Sequence, residues 1–230
     1  MKIVSGSLDK YIRKIREGDP FTLARYGDGE WSSILGHRGK NCDGVVYSDR
    51  LCAALQKTLF DKKDYDYGML AIAMRLFRNS IQTFHAKNNL DMTWVEATFL
   101  VAANRHGRLA PLIDGLKTRR LLYVGPKHLR EIGNILPVDT FIEVHPTGSF
   151  ENWENTVREV LYNKNRGDFV GISSGPAAKV MIHALFDHIG DTHSIMDFGS
   201  IWDGYVGVPS RKYMRRNTWK DFLKRNLQIA

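Results

Sequence analysis

The sequence contains little cysteine and no long apolar run. Cys42 and Cys52 are its only cysteines, and neither belongs to a CxxC pair or a Cys/His cluster, so neither a disulfide framework nor a zinc site is indicated. No stretch approaches the roughly 20 apolar residues that cross a bilayer, and the opening segment MKIVSGSLDKYIRK lacks the apolar core of a signal peptide. We therefore expect a cytoplasmic protein without a membrane partner.

Acidic residues are also scarce relative to basic ones. Lys and Arg number 33 against 25 Asp and Glu, which gives a formal net charge of +8 and favours a polyanionic or phosphorylated partner. Part of the excess lies in a basic tail, residues 211–230, which contains Arg211, Lys212, Arg215, Arg216, Lys220, Lys224 and Arg225. The tail is either a solvated helix face or a phosphate-binding surface, on which Tyr213 and Trp219 would stack against nucleic-acid bases.

The chain is long enough for one substantial core. A hydrophobic content of 43% in 230 residues predicts a single domain, residues 1–230. The patterns predict a helix over 7–17, a strand over 20–26, a helix from Ser48 to 60, a strand over 67–74, and a mainly helical segment over 77–117 with an amphipathic helix at 93–107. This alternation indicates an α/β fold, Rossmann-like, with a mainly parallel sheet and helices on both faces.

Several apolar runs end in loops that contain glycine. VGPK (124–127), SSGPAA (173–178) and DFGS (197–200) follow runs in the second half, and RYGDGE (25–30) follows one near the start. The carboxyl ends of parallel strands meet at one edge of a sheet, where ligands bind. We therefore expect these four loops to converge.

The 173–178 loop has features of a phosphate site. Ser173, Ser174 and Gly175 precede a helix that can begin with Pro176. Free backbone N–H groups, the helix dipole and two hydroxyls would then face a ligand, which suits a phosphate. The alternative is a tight strand-to-helix turn in which glycine permits close packing.

The RYGDGE loop carries two carboxylates, Asp28 and Glu30, on either side of Gly29. Two carboxylates at a strand end can bind one hard cation, Mg²⁺ or Mn²⁺, which also takes waters and substrate phosphates as ligands. The alternative is a turn with Glu30 near a helix N-terminus. Among the histidines only His145, in EVHPTG at a strand end, is a candidate for substrate contact, and no GxSxG elbow or Cys/His pair is present.

Four segments of the sequence together resemble those of a known family. In chain order they are ARYGDGEW, LLYVGP, GDFVGISSGPAAKVMIHAL and IMDFGSIWD. This set resembles the GT-D-fold glycosyltransferases, whose hallmark is an R-aromatic-GDGE segment with a DxE metal motif. The resemblance covers the N-terminal motif and residues 120–203, whereas 37–117 matches loosely. It implies a Rossmann-like fold and transfer of a hexose or pentose from a nucleotide diphosphate, often UDP, to a hydroxyl group.

The resemblance also implies roles for individual residues. Asp28 and Glu30 would bind the metal, Mn²⁺ or Mg²⁺, and the donor, and the catalytic candidates are Asp28, Glu30, His145 and Asp203. The residues expected to contact the nucleotide sugar are Arg25, Gly27, Gly29, Lys127, Ser173, Ser174, Gly175, Pro176 and Asp197. Asp197 and Asp203 are the two candidates for the base.

The acceptor stays open. The charge of +8 favours a hydroxymethylated base in DNA over a glycan or glycoprotein. Such DNA would be bound through the basic tail, and the base would be flipped out of the helix or reached through a groove. A function of another class is also consistent with the sequence, namely a non-catalytic module that binds nucleotides or nucleic acid. Such a module would bind DNA with a steep salt dependence and transfer no sugar.

Overall fold

The computed structural model describes residues 1–228, which form a sheet flanked by helices. The strands are β1 (Lys2–Val4), β2 (Thr22–Tyr26), β3 (Asp66–Met69), β4 (Thr93–Glu96), β5 (Leu121–Gly125), β6 (Val138–Glu143), β7 (Phe169–Ile172) and β8 (Ser194–Asp197). The α-helices are α1 (Leu8–Glu17), α2 (Asp28–Ile34), α3 (Asp49–Phe60), α4 (Ala71–Lys87), α5 (Phe99–Arg105), α6 (Ala110–Leu116), α7 (Trp153–Tyr162), α8 (Ala177–Ile189) and α9 (Trp219–Leu227). Short 3₁₀ segments cover Lys127–Asn134, Lys164–Arg166, Asp203–Val206 and Lys212–Arg215.

The sheet has the strand order β1-β4-β3-β2-β8-β7-β5-β6, and its neighbouring strands pair in parallel. The N-terminal half of the chain meets the C-terminal half where β2 lies beside β8, with Thr22 paired to Ile195 and Leu23 to Met196. Parallel strands are covered on both faces and are therefore apolar along their length. The fold class predicted from the sequence is confirmed.

Alternate side chains of the strands enter two hydrophobic cores, one on each face of the sheet. On β2, Leu23 belongs to the core formed with α1, α5 and α6, and Ala24 to the core formed with α2, α3, α4, α7 and α8. Successive strand residues point to opposite faces, so the same strands hold both layers of helices. No helix within residues 1–228 is long and apolar enough to cross a membrane.

Two predicted elements were wrong in their extent. The strand predicted over 67–74 ends at Met69, and α4 begins at Ala71, whose N–H donates to the Thr98 hydroxyl at 2.9 Å. The helix predicted over 93–107 contains β4, a four-residue strand buried between β1 and β3, before α5 begins. A short apolar segment gives no periodic signal that separates a buried strand from a helix.

The basic tail is a packed element as far as the structure describes it; residues 229 and 230 lie outside the described part. Asn226 of α9 is buried, accepts the Leu109 N–H at 2.7 Å and donates to the Asn104 carbonyl at 3.1 Å. Trp219 is also buried, with Gly204 directly beneath its ring. The expectation that Trp219 stacks on nucleic-acid bases was therefore wrong, because its ring belongs to the interior.

Candidate active site

A cavity of about 570 Å³ lies at the carboxyl-terminal edge of the sheet. Segments that follow β2, β3, β5, β6, β7 and β8 all contribute to its lining. The four predicted loops thus reach one site, as expected for a parallel sheet. The lining includes the predicted site residues Arg25, Gly27, Asp28, Gly29, Glu30, His145, Ser173, Ser174, Gly175, Asp197 and Asp203.

Two predicted donor contacts, Lys127 and Pro176, do not line this cavity. Lys127 begins a 3₁₀ segment and is exposed. Because successive side chains of such a segment point about 120° apart, His128 lines the cavity while Lys127 points elsewhere. Pro176 is buried at the start of α8, where its fixed φ of −61° leads the chain into the helix.

Beneath the cavity lies a buried group of two cations and two carboxylates. The Lys179 ammonium is 2.9 Å from Glu30 Oε1 and 2.8 Å from Asp197 Oδ2, and it donates to the Gly175 carbonyl at 3.2 Å. Arg25 Nε donates to the Asp197 carbonyl at 2.6 Å. Buried charges are costly unless they are paired, and this group has no net charge. With three acceptors in contact, Lys179 has no N–H left for a substrate.

The pKa values in this group follow from burial and pairing. Burial alone raises the pKa of Asp197, but the nearby charges of Lys179 and Arg25 lower it below the ordinary value. Burial lowers the pKa of Lys179, but Asp197 and Glu30 raise it above the ordinary value. Both groups are therefore charged at neutral pH, and Asp197, with its Oδ2 on Lys179, is poorly suited to accept a proton from a substrate.

The two acids of RYGDGE have different environments. Asp28 begins α2 and is exposed, and within residues 1–228 no group hydrogen-bonds to its carboxylate. Glu30 is buried, accepts the Gly27 N–H at Oε2 (2.8 Å) and binds Lys179 at Oε1. Among the described residues, no set of three or more His, Cys, Asp and Glu side chains is arranged to hold a metal ion.

Buried donor atoms without a partner lie among the cavity residues. Arg25 Nη1 and Ser174 Oγ are both buried and have no hydrogen-bond partner in the described chain, although such atoms are normally paired. Ser173 differs, since its hydroxyl is 2.6 Å from the Tyr123 hydroxyl. Gly199 permits the close approach of Arg25, because a Cβ at position 199 would lie 2.7 Å from Arg25 Nη2. An anion in the cavity would satisfy the two unpaired donors.

A histidine that sequence reasoning missed lies across the same cavity. His128 Nε2 is 3.1 Å from Asp203 Oδ1, and the Ser210 hydroxyl donates to Asp203 Oδ2. Asp203 is buried, while the His128 side chain is 35% exposed. The sequence did contain one indication of a role for His128, which is its position directly after VGPK, at the end of an apolar strand. His145 has another setting, since its Nδ1 accepts the N–H of Gly148 at 3.0 Å and that of Thr147 at 3.3 Å.

One residue of the basic tail borders the cavity. Arg211 donates to both carboxylate oxygens of Asp43, at 2.7 and 3.0 Å. Asp43 lies in loop 37–48, which is closed by an antiparallel bridge between Lys40 and Val46. Arg211 is therefore paired, whereas the other six predicted cations of the tail are exposed: Lys212, Arg215, Arg216, Lys220, Lys224 and Arg225.

A second cavity of about 240 Å³ adjoins the first at Tyr213, which lines both. Its other lining residues are Arg105, His106, Arg216, Thr218 and Phe222. The lining carries two arginines and no acid. Arg216 of the tail thus lines a basic and aromatic cavity that adjoins the main cavity.

No protein-family model and no curated protein matches this chain. Solved structures do resemble it. One is described as a new glycosyltransferase (DUF1792) from Streptococcus sanguinis, with 18% identity, coverage of 92% of this chain and 87% of the other, and a TM-score of 0.65. Another is described as a highly conserved domain of unknown function 1792 with a distinct glycosyltransferase fold, with 17% identity, coverage of 90% and 83%, and a TM-score of 0.61. At this level of identity the likeness concerns the fold, and the chain has the fold described for these glycosyltransferases.

Proposed function

We propose that this protein is a metal-dependent glycosyltransferase that moves a sugar from a nucleotide diphosphate, UDP in the first instance, to a hydroxyl acceptor. The observation that carries the proposal is the pair of unpartnered, buried donors, Arg25 Nη1 and Ser174 Oγ, in a cavity at the strand ends. The description of similar structures as glycosyltransferases supports the same reaction.

The donor diphosphate would bind between Arg25 and the start of α8. Ser174 and Gly175 precede this 13-residue helix, whose N-terminus favours negative charge. Arg25 is fixed by its bond to the Asp197 carbonyl, so its remaining N–H groups are held in place before the substrate arrives. Donors oriented in advance stabilise the charge that develops on the leaving diphosphate.

A divalent cation would be shared between protein and donor. Asp28 offers a free, exposed carboxylate at the cavity, and the remaining ligands would be diphosphate oxygens and waters, as is usual for Mg²⁺. Glu30 would join only if the ion replaced Lys179 at its Oε1. When bound, the ion would supply Lewis-acid stabilisation of the departing diphosphate. Asp28 is thus the ligand that the chain offers most directly.

For the acceptor we propose a polyanion, with a hydroxymethylated base in DNA as the leading case. The second cavity, which is lined by Arg105 and by the exposed tail residue Arg216, adjoins the main cavity at Tyr213. This arrangement would hold phosphates while a hydroxyl enters the main cavity. A glycan or glycoprotein acceptor remains the alternative, and it would give no role to the second cavity.

The decisive experiment incubates the protein with UDP-glucose, Mn²⁺ and either hydroxymethylcytosine DNA or an oligosaccharide, and measures the gain in acceptor mass. Gain on the DNA supports the proposal, and gain only on the saccharide replaces its acceptor. A panel of other nucleotide sugars, screened by thermal shift, identifies the donor if glucose is inactive. Salt-sensitive DNA binding without turnover of any donor would instead indicate a binding module.

A further inference from the structure

We propose that His128 is the general base of the transfer and that Asp203 positions it. This inference rests on the proposed function, since it assigns the group that removes the proton from the acceptor hydroxyl. It adds a residue to the site, His128, that neither the resemblance nor the comparisons indicate.

The carboxylates of the cavity differ in whether they can accept a proton. Glu30 and Asp197 are both in contact with the Lys179 ammonium, and Asp43 is paired with Arg211. Asp28, at the start of α2, is the ligand that the proposed function assigns to the divalent cation. Asp203 is buried and already accepts two hydrogen bonds, from His128 and Ser210. The side chain that can exchange a proton with a ligand in the cavity is therefore His128, which is partly exposed there.

The hydrogen bond to Asp203 sets the tautomer of His128. Asp203 accepts at Oδ1, so the proton of the neutral imidazole resides on Nε2 and Nδ1 carries the lone pair. In the described chain no residue hydrogen-bonds to His128 Nδ1. An imidazole held by a carboxylate at one nitrogen and free at the other is the arrangement of a general base.

His145 has the same tautomer, but its lone pair is occupied. Its Nδ1 accepts two backbone N–H groups, from Gly148 and Thr147, so the neutral ring carries its proton on Nε2. Its lone pair is thus used within the 145–148 turn. Of the two histidines that line the cavity, His128 is the one whose lone pair is free.

The backbone holds both members of the pair firmly. The 3₁₀ segment with His128 is anchored by Leu129 and Ile132, which are fully buried. The Asp203 segment follows Trp202, also fully buried, and begins just beyond β8. The ring and its partner are therefore fixed at the cavity before substrate binds, as efficient proton transfer requires.

In the proposed step the acceptor oxygen forms a bond to the anomeric carbon while its proton passes to His128 Nδ1. The bond from the anomeric carbon to the diphosphate oxygen breaks, and its electron pair leaves with the nucleotide diphosphate. The Asp203 carboxylate stabilises the imidazolium, which then releases its proton to solvent. A single displacement of this kind inverts the anomeric configuration.

The test compares wild type, H128Q and D203N, with H188Q as the control because His188 is exposed on α8 and does not line the cavity. We expect kcat to fall by about 10²- to 10⁴-fold in H128Q and D203N, with donor binding measured by thermal shift unchanged. In wild type, log(kcat/KM) should fall with unit slope as the pH is lowered, and the pH profile of H128Q should lack this acid limb. Added imidazole should restore part of the activity of H128A.

The outcomes separate the two proposals. Donor turnover in wild type that persists undiminished in H128Q overturns the role of His128 and leaves the transferase function standing. Retention of the anomeric configuration also overturns it. No turnover of any nucleotide sugar by wild type overturns both. Activity of D203N equal to wild type, with H128Q inactive, removes Asp203 alone from the mechanism.

Discussion

The Lys179 ammonium lies 2.8 Å from the Asp197 carboxylate and forms its second ion pair with Glu30. These contacts join α8, β8 and α2 beneath the cavity. Lys179 lies one helical turn beyond Gly175 of the predicted phosphate loop, where a lysine would commonly contact the ligand. Here it instead neutralises two acids of the cavity lining, and Arg25 Nη1 and Ser174 Oγ are the donors of the lining that stay unpaired in the described chain.

Replacing Lys179 by methionine should strongly destabilise the fold. The change leaves Glu30 and Asp197 buried with only Arg25 as a counter-charge, and breaking a buried pair in this way costs roughly 3–5 kcal/mol. Urea unfolding followed by circular dichroism measures the difference. K87M is the matched control, because Lys87 is exposed at the end of α4 and forms no ion pair in the described structure. Equal midpoints for the two variants would contradict the assignment.

The same group predicts different pH dependences of stability in wild type and in K179M. In wild type the pKa of Asp197 is lowered from the ordinary 3.8, so its contribution to stability is complete above about pH 4 and is lost as pH falls further. In K179M the Asp197 carboxylate loses the nearby charge that does most to lower its pKa, and burial then favours its protonated form over that in the unfolded chain. The free energy of unfolding of K179M should therefore rise as the pH is lowered from 7 to 5. In wild type the contribution of Asp197 should stay constant over the same range. A fall for K179M over that range would contradict the prediction.

The strands β2, β5, β7 and β8 could be predicted because they are short apolar runs that end in loops containing glycine, and such runs alternate with helices. β4 could not, since Trp94 and Val95 are buried between two other strands and their spacing also fits a helix. The packing of Trp219 depends on Gly204, 15 positions earlier. Contacts between distant parts of a chain override local patterns, and a single sequence does not display them.

In the candidate site, the strand-end loops were predictable and the partners of the side chains were not. The sequence places Asp28 and Glu30 two residues apart, and this spacing predicts one shared role. The structure separates them, because α2 begins between Gly27 and Asp28 and turns Glu30 back onto the Gly27 N–H and inward to Lys179. His128 and Asp203 lie 75 positions apart, and no motif connects them.

Substitutions at Asp28 and Glu30 should accordingly have different effects. D28N should reduce metal-dependent turnover by roughly 100-fold or more, while stability changes by less than about 1 kcal/mol, the usual scale of a charge at a helix N-terminus. E30Q keeps an acceptor for Gly27 N–H but removes the charge that Lys179 needs, so it should lower the midpoint of unfolding as well. Measurements of both turnover and thermal unfolding on each variant distinguish the metal-binding role of Asp28 from the stabilising role of Glu30. Identical stability of the two variants would count against the buried role of Glu30.

The ion pair between Arg211 and Asp43 should affect the KM for the sugar donor. It holds loop 37–48 against the start of the basic tail, and partly exposed pairs are worth about 0.2–1 kcal/mol. R211A and D43A should each raise the KM for the donor by about twofold to fivefold, and the double variant should be no worse than either single one. Additive effects in this double-mutant cycle would show that the two residues act independently.

The exposed cations of the tail should contribute to binding of a polyanionic acceptor. In K220E/K224E the affinity for hydroxymethylated DNA should fall, and the slope of log K against log salt should become shallower by about 0.9 for each phosphate that the tail no longer neutralises. Both lysines are exposed on α9, whose buried residues are Trp219 and Asn226, so the fold should tolerate the change. Donor binding measured by thermal shift is the control and should stay constant. An unchanged salt slope together with unchanged transfer to DNA would place the acceptor surface elsewhere and favour a neutral glycan.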